Sequence, residues 1–166
     1  MEKITKILPN LYLGNSNSVI NQTIEFNDIG FNVLINCSTE ITYDLSSYII
    51  HKYPIDDDAI DGSFEQYVTT AVETIDHYVK TGNIVYVHCV HGVSRSVSIV
   101  IYYLMIYHNM SFDSAYSKIL FLRPSISPHN NFVRHIKKLY LSKLENSTDF
   151  TNIITEGGFT NNYTNV

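Results

Sequence analysis

Between residues 84 and 107 a short apolar strand, a polar loop and a long apolar helix follow one another, and this order constrains the fold most strongly. The run from Ile84 to Val87 is β-branched and aromatic, as buried strands are. The run from Ser96 to Tyr107 is almost wholly apolar, lacks Gly and Pro, and is too long for a strand. A strand that turns directly into a helix directs backbone N–H groups into one concavity at the positive end of the helix dipole, which suits a phosphate dianion.

The loop, His-Cys-Val-His-Gly-Val-Ser-Arg-Ser, contains a nucleophile and a phosphate-binding cation. The field at the helix start stabilises a thiolate, so Cys89 is the predicted nucleophile, although a cysteine that ends a strand is more often a small core side chain. Arg95 offers a planar fork of donors that can hold two phosphate oxygens. Gly92 permits a positive φ, and Ser96 can donate to the sulfur when it leaves. The other residues predicted to bind phosphate are Val90, His91, Val93 and Ser94.

This loop resembles the signature of the cysteine-dependent protein phosphatases, and its Gly-Val-Ser-Arg-Ser ending is similar to that of the dual-specificity branch. The resemblance includes the Leu-Tyr-Leu-Gly motif at 11–14, the strand at 33–37, and the segment 123–132, which buttresses the catalytic loop in that family. It implies an α/β fold with a mostly parallel central sheet flanked by helices on both faces. The expected catalytic domain is 1–145, followed by a polar, flexible tail at 146–166.

The reaction needs a proton donor for the leaving oxygen, and an aspartic acid on a loop is suited to this role. Asp56, Asp57, Asp58 and Asp61 are the candidates. Asp58 lies 31 residues before Cys89, the spacing that the resemblance implies, so Asp58 is the predicted general acid and Asp57 the alternative. An acidic cluster before a helix also complements the helix dipole, which explains Asp61 sufficiently.

The predicted reaction has two steps, formation of a phosphocysteine at Cys89 and its hydrolysis by water, and Arg95 holds the equatorial oxygens in both. No metal or other cofactor is expected, and the sequence has no CxxC, HExxH or Walker-type motif. Phosphorylated proteins are the predicted partners.

Predicted supporting roles are assigned to His88, Asn130 and Cys37. His88, at the strand end, is expected to be buried and hydrogen-bonded rather than to act as a base. His129 stands where relatives usually carry an asparagine that braces the loop, and Asn130 could replace it by a one-residue shift. In the resembling fold the strand of Cys37 lies beside that of Cys89, so Cys37 is either a redox partner that forms a disulfide or a core side chain.

Two alternative functions stay open. His91 stands where dual-specificity relatives usually have alanine, and histidine there is more typical of the branch that removes 5′ phosphates from RNA. A net charge of −5 disfavours nucleic acid without excluding it. The other alternative is a phosphoprotein-binding module with weak catalysis, although Cys89, Arg95 and Asp58 favour an active enzyme.

Composition and patterning also predict location. Two cysteines, Cys37 and Cys89, and a start without a signal-like pattern predict a cytoplasmic, reducing compartment, with a nuclear or virion location left open. The apolar run at 97–107 is too short to span a bilayer, so no membrane partner is expected.

Local patterns predict where strands and helices begin. Ser63 with Gln66 forms an expected capping box, Ser111 is an expected N-cap, and Ser127 before proline an expected start of the last helix. The predicted strands are 11–13, 33–37, 49–53 and 84–88.

Overall fold

A mostly parallel sheet forms the centre of the computed structural model, which describes residues 4–58, 60 and 62–147. Its strands are β1 (Thr5–Leu8), β2 (Leu11–Asn15), β3 (Val33–Asn36), β4 (Ile49–Lys52) and β5 (Val85–Cys89). They lie in the order β1-β2-β5-β3-β4, and β1 alone is antiparallel to its neighbour. The predicted parallel strands are confirmed to within a few residues, whereas β1 was not predicted and makes the sheet mixed.

Helices cover both faces of this sheet, as predicted. The described helices are α1 (Ser16–Ile20), α2 (Ile24–Ile29), α3 (Ser63–Lys80), α4 (Arg95–Tyr107), α5 (Phe112–Leu122) and α6 (Asn130–Glu145). Because strand side chains alternate between faces, Val85 and Val87 pack with α3 to α6, while Tyr86 packs on the opposite face with Phe26 of α2. Every residue of α4 from Arg95 to Met105 is buried, which explains why this helix is apolar on all sides.

Two of the predicted helix starts are wrong. The Ser63 hydroxyl does not cap α3: it accepts a hydrogen bond from the Asp56 backbone N–H at 2.8 Å, and Gly62 is the N-cap residue. The last helix begins at Asn130 instead of Ser127, because His129 is its N-cap and accepts from Asn131 N–H at 3.1 Å. The Ser127 N–H instead donates to the Val93 carbonyl, in the loop between β5 and α4, at 2.8 Å. The Ser111 cap is confirmed, since its hydroxyl accepts from the Ser114 N–H at 3.1 Å.

The described residues include most of the predicted domain and only the start of the predicted tail. The predicted domain, 1–145, contains the whole sheet, and α6 ends at Glu145. Residues 148–166 of the predicted tail lie outside the described residues. Asp61, one of the candidate aspartates, also lies outside them. In the described part of the chain, no helix is both long and apolar enough to cross a bilayer.

Candidate active site

The loop between β5 and α4 has its carbonyl groups turned outward. The four carbonyls concerned are those of Val90, His91, Gly92 and Val93. The Val90 carbonyl accepts from Ser16 N–H at 3.1 Å, and the Val93 carbonyl accepts from Ser127 N–H at 2.8 Å. Arg123 donates to the His91 carbonyl at 3.3 Å and to the Gly92 carbonyl at 2.8 Å. Since the N–H and C=O of a trans peptide unit point in opposite directions, the N–H groups of these units face the inside of the loop.

The sulfur of Cys89 lies inside this loop, where it accepts two hydrogen bonds. Gly92 N–H donates at 3.3 Å and the Ser96 hydroxyl at 3.2 Å. Cys89 and Ser96 are both buried. These donors stabilise negative charge on sulfur, both in a thiolate nucleophile and in a thiolate leaving group.

Two glycines allow the loop to pack against β2. Gly92 has φ +68, and a Cβ there would collide with the Gly14 carbonyl. A Cβ on Gly14 would collide in turn with the Tyr86 hydroxyl, which donates to Asn15 O at 2.9 Å. The glycine of the Leu-Tyr-Leu-Gly motif therefore belongs to the support of the loop.

Arg95 is buried, with two carboxylates beside its guanidinium. Nη1 donates to Glu40 Oε2 at 2.6 Å and to the Ile55 carbonyl at 3.3 Å. Nε lies 3.0 Å from Asp57 Oδ1, but the angles are not those of a hydrogen bond. Burial alone would raise the pKa of Glu40; the hydrogen bonds and the charge of Arg95 together outweigh burial, and the net pKa is lowered.

Sequence reasoning missed Glu40, although one signal could have found it. Glu40 follows the carboxyl end of β3, the strand next to β5. The carboxyl ends of neighbouring parallel strands meet at the same edge of a sheet. An acidic residue just after β3 is therefore a candidate partner for an arginine just after β5.

The neighbouring aspartates have different surroundings. Asp57 lies at Arg95 and lines a cavity of about 480 Å³ together with residues of the catalytic loop and the segment 127–130. The Asp58 carboxylate instead accepts a hydrogen bond from Ile60 N–H at 2.9 Å, and the Asp58 N–H donates to Asp56 Oδ1 at 3.1 Å. The structure thus brings the alternative, Asp57, to the loop and uses Asp58 and Asp56 in local turns.

This geometry agrees with the comparisons with known proteins. A family model described as "Dual specificity phosphatase, catalytic domain" matches residues 11–141. The chain belongs to the dual-specificity phosphatase family.

Individual relatives cover most of this family domain. Dual specificity protein phosphatase 16 of Homo sapiens is 33% identical over 147 residues, which are 87% of this chain but 22% of that protein. The human tyrosine phosphatase-like serine/threonine/tyrosine-interacting protein superposes with a TM-score of 0.78 at 23% identity, covering 87% of this chain and 99% of that one. For DUSP15 the TM-score is 0.79 at 21% identity, with coverage of 93% and 96%. The fold is that of the family, while the chain spans about a fifth of the length of the first curated relatives it matches.

In this member of the family, His88 is buried at the end of β5. Its Nδ1 lies 3.1 Å from the Cys89 carbonyl, which can only accept, so Nδ1 carries the proton. Its Nε2, 2.7 Å from the Tyr43 hydroxyl, then accepts from that group. Burial lowers the pKa of His88 to about 4. The ring is therefore neutral and fixed between a loop carbonyl and Tyr43.

The segment before α6 also holds the loop. His129 N–H donates to the Ser94 hydroxyl at 3.1 Å, and the His129 ring caps the helix by accepting from Asn131 N–H at 3.1 Å. Asn130, the predicted brace, lines the same cavity as Val93 and Ser94. The hydrogen bond to Ser94 at this position comes from the backbone N–H, which any residue except proline can supply.

The last two predicted residues flank the loop. Cys37 is buried and unpaired just after β3, and its N–H donates to the His88 carbonyl at 2.8 Å. Burial and the nearby Cys89 raise the pKa of Cys37. His91 has an exposed side chain and contributes its carbonyl to Arg123.

Proposed function

We propose that the chain hydrolyses phosphotyrosine and phosphoserine or phosphothreonine in proteins through a phosphocysteine intermediate. The observation that carries this proposal is the position of Cys89 Sγ, inside a loop whose carbonyls are all held outward and beside a buried arginine. The loop N–H groups and Arg95 together can surround a phosphate dianion while the sulfur is in line with phosphorus.

In the first step Cys89 attacks phosphorus, the bond from phosphorus to the leaving oxygen breaks, and that oxygen takes a proton. Asp57 is the donor supported by the geometry, because its carboxyl group lies at Arg95 and lines the cavity that the substrate would enter. The carboxylate of Asp58, the donor predicted from spacing, is engaged with Ile60 N–H.

In the second step water attacks the phosphocysteine and the sulfur leaves as a thiolate. The carboxylate formed in the first step accepts a proton from this water. Ser96 and Gly92 N–H stabilise the departing thiolate through the bonds they make to Sγ. These two steps need no metal ion. Because Cys89 acts only while reduced, we place the reaction in a reducing compartment such as the cytoplasm.

The test is phosphate release by the wild type and Cys89→Ser from a phosphotyrosine peptide, a phosphothreonine peptide and 5′-triphosphorylated RNA. We expect release from both peptides by the wild type and none by Cys89→Ser. Release confined to RNA would move the assignment to the RNA branch and give exposed His91 a substrate-selecting role. Peptide binding without release would identify a phosphoprotein-binding module.

A further inference from the structure

A second cavity, of about 340 Å³, lies along α6 next to the active-site cavity. Its lining residues come from α6, from the first turn of α3 and from the loop after Asp58: Ile60, Glu65, Asn131, Arg134, His135 and Lys138. The active-site cavity is lined by His129 and Asn130, so the two cavities follow each other along the first turns of α6.

Cationic side chains dominate this second cavity in a chain of net charge −5. Arg134 and Lys138 are four residues apart, on the same side of the helix, and both are exposed. Within the described residues neither forms an ion pair. The other two arginines of the chain, Arg95 and Arg123, are buried at the catalytic loop.

Glu65 is the acidic group in this lining, and His135 partly engages it. Glu65 Oε1 lies 3.1 Å from His135 Nδ1. Burial lowers the pKa of His135, so at neutral pH the ring is uncharged and adds no positive charge beside the carboxylate. The cavity therefore keeps one net positive charge from Arg134, Lys138 and Glu65.

The position of Arg134 and Lys138 along α6 sets what could reach these cations. A helix rises about 1.5 Å per residue, so the two residues begin about 6 and 12 Å along α6 from Asn130, which lines the active-site cavity. An extended peptide covers about 3.3 Å per residue. A peptide segment of about two to four residues therefore spans from Asn130 to the second cavity.

We infer that this cavity is a substrate subsite for an anionic side chain, a carboxylate or a second phosphate, a few residues from the hydrolysed phosphate. The inference rests on the proposed protein phosphatase activity and adds the sequence context of its substrates. Two cations at helical spacing can bind the oxygens of one anion, while a neutral side chain gains nothing from them.

Ile60 lines this subsite and lies three residues after Asp57, the proposed proton donor. Its side chain is 78% exposed and lines the cavity, and its N–H is held by the Asp58 carboxylate at 2.9 Å. A peptide side chain that fills the cavity would cover Ile60 and contact the segment that carries Asp57.

The test compares phosphotyrosine peptides that differ at positions −4 to +4, carrying glutamine, glutamate or a non-hydrolysable phosphonate. For the wild type at low salt we expect kcat/KM about threefold higher with glutamate and about tenfold higher with phosphonate than with glutamine. The gain should disappear in the double variant Arg134→Gln/Lys138→Gln, increase in Glu65→Gln, and decrease with added salt.

Lys143→Gln is the matched control, because Lys143 lies at the far end of α6 and lines a different cavity. It should keep the wild-type preference. A wild type without preference, or a preference unchanged in the double variant, would overturn the subsite. Turnover of a small aryl phosphate separates the subsite proposal from the phosphatase proposal. If the double variant still hydrolyses the aryl phosphate, its loss of peptide preference concerns the subsite. If the wild type does not hydrolyse the aryl phosphate, the phosphatase assignment itself fails.

Discussion

The Arg95 guanidinium donates a 2.6 Å hydrogen bond to Glu40, which precedes it by 55 positions. This bond fixes Nη1 and so orients the plane of the guanidinium, while Asp57 Oδ1 lies 3.0 Å from Nε at the other edge of the fork. The relationship depends on the adjacency of β3 and β5, since Glu40 lies in the loop after β3 and Arg95 begins α4, the helix that follows β5.

Glu40→Ala should lower kcat/KM for a phosphotyrosine peptide by about tenfold, because a charge-assisted hydrogen bond contributes roughly 1.5–3 kcal/mol. Glu40→Gln keeps an acceptor for Nη1 and should lose less. Steady-state kinetics of both variants measures this. An Ala variant as active as the wild type would show that Ile55 O alone orients Arg95.

Asp57 and Asp58 form a matched pair for the general acid. Asp57→Asn should lower kcat on a phosphotyrosine peptide by about 100-fold, the contribution of a positioned acid. Asp58→Asn should lose much less, because an amide oxygen can still accept from Ile60 N–H. The Asp57→Asn loss should shrink with an aryl phosphate whose leaving group needs no proton. The reverse ranking of the two variants would restore the assignment based on spacing.

The sequence was sufficient for features that depend on local pattern. The strand-loop-helix order predicted the loop that carries Cys89, Gly92 and Ser96, because β5 and most of α4 are buried and their sequences are correspondingly apolar. The β1 strand was missed because its alternation of buried and exposed side chains extends over only four residues at a sheet edge. Glu40, Tyr43 and the surroundings of Asp57 were missed because they depend on loops that are adjacent in space and distant in sequence. The number of residues before Cys89 could not distinguish Asp57 from Asp58, because the side chains of neighbouring residues point in different directions.

Arg123→Met should weaken both the fold and phosphate binding. It removes the donors to His91 O and Gly92 O, and each buried carbonyl left unpaired costs about 1–3 kcal/mol. We expect the free energy of unfolding to fall by about 2–4 kcal/mol in urea titration, and the Kd for tungstate, a phosphate-shaped oxyanion, to rise about tenfold. Arg123→Lys should recover part of both. Unchanged tungstate affinity in a destabilised Arg123→Met would limit Arg123 to a structural role.

Cys37 is proposed as the redox partner of Cys89. Peroxide converts the Cys89 thiolate to a sulfenic acid; attack by the Cys37 sulfur forms the disulfide and releases water. After brief peroxide treatment, dithiothreitol should restore activity in the wild type but not in Cys37→Ser, whose Cys89 proceeds to the sulfinic acid. The raised pKa of Cys37 should make the capture faster at higher pH. Equal recovery of both proteins would leave Cys37 as a core side chain.

His88 should make the stability of the domain depend on pH below neutrality. Its folded pKa is about 4 because burial disfavours the charged ring, against an ordinary value of 6.5. Between these values the unfolded chain binds a proton that the folded chain does not. The free energy of unfolding therefore decreases as pH falls from 6.5 toward 4, by about 3 kcal/mol at the lower limit.

Urea titrations of the wild type and His88→Asn between pH 7.5 and 4.5 measure this contribution. His88→Asn will be less stable at pH 7.5, since the partnership with Tyr43 is lost, but its stability should fall less as pH is lowered. His51→Asn is the control: partial burial lowers the pKa of His51 as well, but His51 is more exposed than His88, so its removal should change the slope less. Parallel curves for wild type and His88→Asn would mean that the His88 ring is protonated without cost, in conflict with its burial between the Cys89 carbonyl and Tyr43.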